Sequence, residues 1–306
     1  MPPRKVFVSY SHRQEDWVVD RLVPVLRAGG AEVLIDREIF GVGRSVLGQM
    51  DETQDRAEVQ VLVLSPEYLA SPMCRHELDR AVALDPKFEH GVVVPVLRVP
   101  TPLPDSISKP NPLYADLADD ENSSAWDLVL RGLKADLGTD APAWLTARDE
   151  VRRSLRRDQS VNLVVGRGVD WRPLVKDLRR GELADLGLVD LERPQAASRR
   201  GLIEEILAEL GAPVVVPGPP EDLVTFGRAL QARKTPGRIA LLCFDLAARR
   251  DSYGLDLFAS LRYLITEARL LTLLVQSRVP FAMLLPDGHP MSSAMGFETV
   301  FLRGRR

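Results

Sequence analysis

The feature that most constrains the fold is the alternation of short apolar runs with amphipathic stretches over residues 1–98. Runs that are apolar on both faces of an extended strand are separated by three stretches with helical periodicity. These stretches lie over 15–30, through Val46, Leu47 and Met50, and over 66–84. The four runs are KVFVSY (5–10), EVLID (32–36), VQVLVLS (59–65) and VVVPVLRV (92–99). Because such strands must be covered on both faces, the pattern predicts an α/β fold with a parallel sheet between helices.

Polar or glycine-bearing segments leave the carboxyl ends of the first three runs. These segments are Ser9 to Glu15, Asp36 to Arg44 and Ser65 to Glu77. The last one starts a helix with proline in its first turn, and that helix is predicted to break near Ser71-Pro72. Ligands of parallel α/β sheets bind outside the carboxyl ends of the strands, where the strand order reverses. We therefore expect any active site of this half to be built from these three segments.

The residues in these segments resemble bacterial TIR domains over about residues 4–137. The resemblance rests on the strand ending in SYS, the aspartate after the second strand, the loop with Gly43, and LVLSPEYLASPMCRHEL at 62–78. It implies a flavodoxin-like parallel sheet. In TIR enzymes that cleave NAD, a glutamate three residues after a Trp-Cys pair is catalytic, and Cys74-Arg75-His76-Glu77 has this spacing. Glu77 is therefore the candidate catalytic carboxylate, although Met73 stands where the family usually has tryptophan, an apolar gap that a methionine can fill.

One carboxylate can meet the chemical demand of NAD cleavage. The nicotinamide leaves as a neutral molecule, so no general acid is needed, and the difficulty is the oxocarbenium character that develops on the ribose. A carboxylate against the ribose stabilises this charge. Taken without its context, Glu77 also fits an exposed helix residue that pairs with Arg75 or Arg80.

The other candidate site residues surround the same sheet edge. As substrate contacts we expect Tyr10, Ser11, His12, Asp36, Arg44, Ser65, Met73 and Cys74. Tyr10, Ser11 and His12 fit a turn and a helix start equally well, Asp36 fits a residue that orients its loop, and His76 fits a solvent-facing helix residue better than a base. The resemblance also implies an assembly loop, which in the TIR family inserts into the neighbouring subunit. Its glycines make it mobile. We predict that this loop is formed by Arg37, Phe40, Gly41, Gly43 and Arg44. Arg37 and Arg44 face either a diphosphate or that neighbour, and self-association through TIR domains follows from the resemblance.

The middle of the chain divides it into two domains. Residues 100–124 are rich in proline and then acidic, and they predict a long loop, while 125–138 predict a helix that closes the first domain at Gly138. We predict a TIR domain at 1–140, a linker at 141–158 and a second α/β domain at 159–306.

The second half resembles a degenerate P-loop NTPase. VNLVVG (161–166) predicts a strand, but Trp171 and Arg172 stand where a phosphate-binding loop needs lysine and Ser/Thr. The run 238–248 predicts a strand ending in Asp245 like a Walker B strand, without a catalytic acid after it. Further elements are predicted as a helix and a strand over 257–281 and a strand-like run over 290–302. Over about 155–303 this order resembles inactive STAND modules, which implies a sensing or docking domain for a partner protein or ligand and no NTP hydrolysis.

Composition excludes several other classes of function. The net charge of −3 and the pI of about 5.9 give no polyanion-binding signature, so no nucleic-acid partner is expected. The two cysteines, Cys74 and Cys243, lie in separate halves and fit a reducing compartment, and the four histidines lack metal-ligand spacing, so no metal is expected. The first residues lack a signal peptide, and the longest late apolar run, 270–275, is too short for a membrane span. A cytoplasmic protein without a cofactor, with NAD+ as substrate, is expected.

Three functional hypotheses remain open from the sequence. The first is an NAD+ nucleosidase (NADase) effector of a prokaryotic antiviral immune system, activated by oligomerisation. The second is a non-catalytic TIR adaptor or scaffold that acts by self-association alone. The third is a TIR cyclase that makes a cyclic ADP-ribose signal, because the sequence does not separate water from other attacking groups.

Overall fold

The computed structural model describes residues 3–35, 46–181, 183–292 and 296–305. The chain forms two compact units, residues 1–145 and 146–306, which are described separately below. Each unit contains a five-stranded sheet, and every strand pair in both sheets is parallel. The α/β class with parallel sheets is therefore confirmed for both halves. Within the described residues, no helix combines the length and the apolar character that a membrane span requires.

The first unit has the strand order β2-β1-β3-β4-β5. Its strands are β1 (Lys5–Ser9), β2 (Glu32–Leu34), β3 (Val59–Leu64), β4 (Val93–Leu97) and β5 (Ala115–Asp116). Its first helical segment, α1, runs through Glu15–Trp17, a π-helical Val18–Leu22 and Val23–Ala28, after a short 3-10 turn at His12–Gln14. The other helices are α2 (Val46–Asp55), α3 (Pro66–Ala70), α4 (Pro72–Leu84), α5 (Asp105–Ser108) and α6 (Ser123–Gly132).

Burial explains why these runs form central strands. Every residue of β3 and of β4 is buried, as apolar runs without alternation require. Leu62, Leu64 and Val93 from these strands pack with Tyr68 and Leu78 from the helices that follow β3. This cluster fixes α3 and α4 against the sheet.

Two parts of the middle segment differ from the prediction. The predicted loop at 100–124 contains α5 and the two-residue strand β5, which pairs with β4 at the edge of the sheet. Elements this short carry no periodicity that a sequence pattern could reveal. Helix α6 begins after Asn122, whose side chain accepts a hydrogen bond from Ala125 N at 3.2 Å, and it ends at Gly132 instead of Gly138. It stops early because Lys134 takes a left-handed backbone conformation with φ 54°.

The second unit has the strand order β10-β6-β9-β8-β7. Its strands are β6 (Val161–Val165), β7 (Gly187–Asp190), β8 (Gly237–Leu242), β9 (Leu271–Ser277) and β10 (Glu298–Leu302). Helix α7 (Ala141–Arg156) spans the division between the units. The later helices are α8 (Arg172–Leu178), α9 (Arg199–Glu209), α10 (Glu221–Gln231), α11 (Gly254–Thr266) and α12 (Phe281–Leu284).

The second half confirms some predicted elements and corrects others. The strand at 161–166, the helix and strand within 257–281, and a strand within 290–302 are present as β6, α11 with β9, and β10. The strand predicted over 238–248 ends at Leu242, because Cys243 has φ 58° and a 3-10 turn, Phe244–Arg249, follows. Strand β7 and helices α9 and α10 had no counterpart in the predicted order.

Two helical glycines of this unit yield a paired stability prediction. A Cβ at Gly201 in α9 would overlap the backbone oxygen of Gln195, whereas a Cβ at Gly227 in α10 would meet nothing within 4 Å. Gly201→Ala should destabilise the chain by about 2 kcal/mol or more, since the backbone must move. Gly227→Ala should stabilise it by about 0.5–1 kcal/mol through helix propensity. Urea titrations of both variants check this, and shifts of the same sign would contradict it.

Candidate functional site

The order of strands in the first unit selects one crevice. The chain passes from β1 outward to β2 and then returns across to β3, so the strand order reverses between the neighbours β1 and β3. In sheets with the order 2-1-3-4-5, ligands bind outside the carboxyl ends of the strands at this reversal. The residues that end β1 and follow β3 are therefore the candidates for a site.

Two serines and two prolines shape the segment that follows β3. The side chain of Ser65 accepts a hydrogen bond from Tyr68 N at 3.1 Å and caps α3, and Pro66 occupies the first turn. The side chain of Ser71 accepts a hydrogen bond from Cys74 N at 3.3 Å and caps α4 in the same way, with Pro72 next. The break predicted near Ser71-Pro72 is thus confirmed, and it turns α4 so that Glu77 reaches the end of β1.

Glu77 lies inside the unit, with 5% of its surface exposed. The hydroxyl of Ser9, the last residue of β1, donates to Glu77 Oε2 at 2.5 Å. The Ser9 hydroxyl also lies 2.7 Å from the hydroxyl of Tyr68, which is fully buried. Since Ser9 gives its single proton to Glu77, the Tyr68 hydroxyl donates to Ser9. The three side chains form a buried chain of hydrogen bonds from Tyr68 through Ser9 to the carboxylate.

The same burial keeps the Tyr68 phenol protonated. Burial raises the pKa of Tyr68 well above its ordinary value, and the nearby charge of Glu77 raises it further, against a lowering by the Ser9 hydrogen bond. Tyr68 therefore stays protonated, and remains a donor, at neutral pH. The hydroxyl of Ser9, itself held by Tyr68, helps to orient the buried carboxylate of Glu77.

Helix α2 holds α4 from the other side. Gln54, which is buried, donates from Nε2 to the backbone oxygen of Glu77 at 2.9 Å. Arg80 pairs with Asp51 at 3.2 Å and with Asp55 at 2.6 Å, and His76 lies 3.0 Å from the same oxygen of Asp51. The interpretation of Glu77 as an exposed helix residue is therefore wrong, since Glu77 is buried. His76 is half-buried and engages α2, so it is not simply solvent-facing either.

The structure places the predicted substrate residues at different depths. Tyr10 and Ser11 are buried directly after Ser9, and His12 is exposed. Cys74 is buried and its thiol donates to the backbone oxygen of Tyr10 at 3.6 Å, while Met73 beside it is 36% exposed. Tyr10, Ser11 and Cys74 thus surround the same crevice as Glu77.

Some of the predicted residues have another role or fall outside the description. Ser65 is fully buried and its hydroxyl caps α3, so we assign it a structural role. Two predicted substrate contacts and the whole assembly loop lie outside the described residues. They comprise Asp36, Arg37, Phe40, Gly41, Gly43 and Arg44. Ser9, Gln54 and Tyr68 were not among the predicted residues. Ser9 closes the first run, and only the tertiary structure shows that its side chain meets a residue 68 positions away.

The hydrogen-bond chain predicts a ranking of stability losses. Ser9→Ala removes the hydroxyl that bonds both Tyr68 and Glu77 and should lower the free energy of unfolding by about 2 kcal/mol. Tyr68→Phe removes a single donor and should lower it by about 1 kcal/mol. Ser108→Ala, at an exposed serine, is the control and should stay within about 0.5 kcal/mol of wild type. Urea unfolding measures all three variants. A larger loss of stability for Tyr68→Phe than for Ser9→Ala would contradict the hydrogen-bond order from Tyr68 through Ser9 to Glu77.

The corresponding edge of the second unit has the wrong residues for a phosphate-binding loop. Trp171, where the lysine would stand, is buried, and the guanidinium of Arg172 lies 4.8 Å from the centre of its ring. Both carboxylate oxygens of Asp245 accept from the backbone N–H of Arg278, at 3.1 and 3.0 Å. Asp245 therefore holds the turn after β9, a structural role.

One cluster with metal-ligand chemistry was not predicted. The carboxylates of Asp190 and Glu192 and the thiol of Cys243 have ligand atoms within 4.8 Å of one another. Burial and these two carboxylates raise the pKa of Cys243 to about 11, so the thiol is protonated at neutral pH. The cluster brings Cys243 to two carboxylates that lie more than 50 positions earlier in the chain, which the sequence spacing could not show.

Comparisons with known proteins bear on the first unit. Residues 6–130 match the sequence model of the TIR domain family. Human Toll-like receptor 6 is 29% identical over 72 residues, which make up 24% of this chain and 9% of the receptor, so the match spans a small part of this curated relative. The TIR domain of the Toll-related receptor TRR-2 from Hydra magnipapillata is 19% identical, covers 42% of this chain and 97% of its own, and has a TM-score of 0.37.

A second solved structure matches a larger share of the chain. Drosophila ORC bound to AT-rich DNA and Cdc6 is 15% identical, with 53% of this chain and 56% of that chain covered and a TM-score of 0.36.

Proposed function

Starting from a chain whose residues 6–130 form a TIR domain, we propose that this protein is an NAD+ nucleosidase in which Glu77 is the catalytic carboxylate. The observation that carries the proposal is the burial of Glu77 at the crevice between β1 and β3, with its carboxylate oriented by Ser9. Placing a carboxylate in the interior is unfavourable, because the charge loses its hydration. Ionisable side chains that are buried inside a ligand crevice in spite of this cost are candidates for function.

The chemistry of the bond explains why this arrangement is sufficient. Cleavage of the bond between ribose and nicotinamide leaves a neutral pyridine, so the leaving group takes no proton. Positive charge develops on the ribose, and a fixed carboxylate stabilises it more strongly in a dry crevice than in water. The hydrogen bond from Ser9 holds Glu77 in one orientation, and Tyr68 holds Ser9, so little reorganisation accompanies the reaction.

Burial also makes the catalyst conditional. At 5% exposure, Glu77 contacts a ribose only after the crevice opens. We propose that association of TIR domains provides this opening, in line with the assembly loop that the resemblance implies for residues 37–44. An isolated chain is then nearly inactive, and activity rises more steeply than protein concentration.

For the second unit we propose a sensing or docking role in an antiviral effector of the inactive STAND type. Trp171 and Arg172 supply neither the ammonium group nor the hydroxyl that a phosphate-binding loop uses, and Asp245 is engaged by Arg278. These contacts support a unit without NTP hydrolysis.

A non-catalytic adaptor is the second candidate. Its support is the match to Toll-like receptor 6 over 72 residues. An adaptor uses its TIR surface for association and needs no acid at position 77. The two candidates differ in one observable, which is the release of nicotinamide from assembled protein.

The test is to incubate the full chain with NAD+ over a range of protein concentrations, with and without a crowding agent, and to separate the products by chromatography. We expect nicotinamide release that increases faster than linearly with protein concentration. The same trace distinguishes linear from cyclic ADP-ribose, and so separates hydrolysis from cyclisation. Assembly seen by light scattering without nicotinamide would favour the adaptor.

A further inference from the structure

A cavity in the second unit carries charge opposite to that of the whole chain. It has a volume of about 570 Å³ and lies between α8 and the carboxyl ends of β7 and β8. The protein has a net charge of −3, yet the residues that line this cavity include five cations and one carboxylate. The cations are Arg172, Lys176, Arg179, Arg180 and Arg193, and the carboxylate is Asp190.

The cations reach the cavity from two walls. Arg172, Lys176 and Arg179 lie four and three positions apart, a spacing that places them on one face of α8 and the turn after it. Arg193 comes from the segment after β7, where its backbone N–H bonds to the oxygen of Asp190. Cations on two sides of a concavity surround a ligand and concentrate the field within it.

Four of these cations have no carboxylate partner among the residues that the structure describes. Arg172 is partly neutralised by Asp170 at 3.4 Å, but Lys176, Arg179, Arg180 and Arg193 make no ion pair there. Like charges that converge without a counter-charge repel one another. An anion with more than one negative charge relieves this repulsion, and arginine forks bind phosphate oxygens in pairs.

The floor of the cavity is apolar. Val175 and Leu242 are buried beneath it, Leu188 is half-buried, and Trp171 lies at one side with only 5% of its surface exposed. Such a floor accepts a flat ring, whereas inorganic phosphate alone would leave it uncovered. A volume of about 570 Å³ fits a small molecule, because ligand cavities of roughly 300–1,000 Å³ are typical.

We propose that this cavity binds a phosphorylated small molecule with a flat ring, of the nucleoside diphosphate class. The ring lies on Val175, Leu188 and Leu242, and the phosphates lie between the α8 cations and Arg193. The cavity meets the position of a phosphate-binding loop only at Trp171 and Arg172, Asp245 does not line it, and binding there requires no hydrolysis. It gives the sensing role of this unit a chemical class of ligand, and it does not depend on the activity of Glu77.

Calorimetric titration of the full chain at low ionic strength tests the site, with ADP as the probe and adenosine and pyrophosphate as its two halves. We expect saturable binding of ADP with a Kd below about 1 mM, and weaker binding of each half by about tenfold or more. The double variant Arg179→Glu with Arg193→Glu should weaken ADP binding on the order of a hundredfold, since each loses a charge-assisted contact. The control is Arg228→Glu, an exposed arginine on α10, which should change the Kd by less than about twofold.

Several results would overturn the proposal. These are no saturable binding of ADP, an unchanged Kd in the double variant, an equal loss in Arg228→Glu, or tighter binding of a single-stranded oligonucleotide than of ADP. Circular dichroism checks whether the double variant is folded. If it is not folded, the single variant Arg193→Gln replaces it, with an expected weakening of ADP binding of about tenfold.

Discussion

Glutamine in place of Glu77 is expected to lower the rate of nicotinamide release by at least about 100-fold, while the protein becomes no less stable. The rate falls because the amide carries no charge to stabilise the ribose cation. Stability is kept or increased because a neutral amide of the same shape is easier to bury than a carboxylate, and Ser9 still has an oxygen to which it donates. Opposite directions of change for activity and stability separate a catalytic role from a structural one.

Glu67→Gln is the matched control, since Glu67 lies on α3 beside the same crevice but is exposed. It should leave both the rate of release and the urea midpoint near the wild-type values. Rates measured at equal assembly, monitored by light scattering, exclude an indirect effect through association. A Glu77→Gln variant that retains activity would remove Glu77 from the chemistry, and a strongly destabilised one would make it a structural residue.

Asp222→Asn is expected to destabilise the chain by about 3 kcal/mol. Asp222 is fully buried, and it receives two hydrogen bonds from the guanidinium of Arg199, from Nε at 2.6 Å and from Nη2 at 2.8 Å. Arg199 is itself 9% exposed. Without the Asp222 charge, the guanidinium of Arg199 keeps, among the described residues, only the exposed Asp256 as a counter-charge. Breaking a buried ion pair typically costs about 3–5 kcal/mol.

Asp256 provides the control within the same network. It bonds the same guanidinium, but its side chain is 58% exposed, so Asp256→Asn should cost less than about 1 kcal/mol. Urea unfolding of the full chain measures both variants. Equal losses would show that burial does not decide the strength of this network.

Local periodicity was enough to predict the central strands of both sheets. The runs around β1, β3 and β4 are apolar without alternation, and nothing else in the sequence competes with this signal. The helix break at Ser71-Pro72 was also predictable, because proline and a capping serine act within a few residues. The position of Glu77 after β3 followed from the order of elements.

Long-range contacts were not predictable from one sequence. Nothing local distinguishes Ser9 or Tyr68 from other strand and helix residues, and their importance comes from a bond that joins positions 9 and 77. The network of Arg199, Asp222 and Asp256 was not predictable for the same reason, because it joins three different helices. Strand β7 has only four residues, two of them half-buried, so its pattern was too weak to predict.

The most direct test of the central claim is nicotinamide release from NAD+ by wild type and Glu77→Gln at matched assembly. Chromatography of one time course for each protein is sufficient. We predict a steady release by the assembled wild type and a rate at least about 100-fold lower for the variant. Equal release by both proteins, or none by the assembled wild type, would contradict the assignment of Glu77 as the catalytic carboxylate.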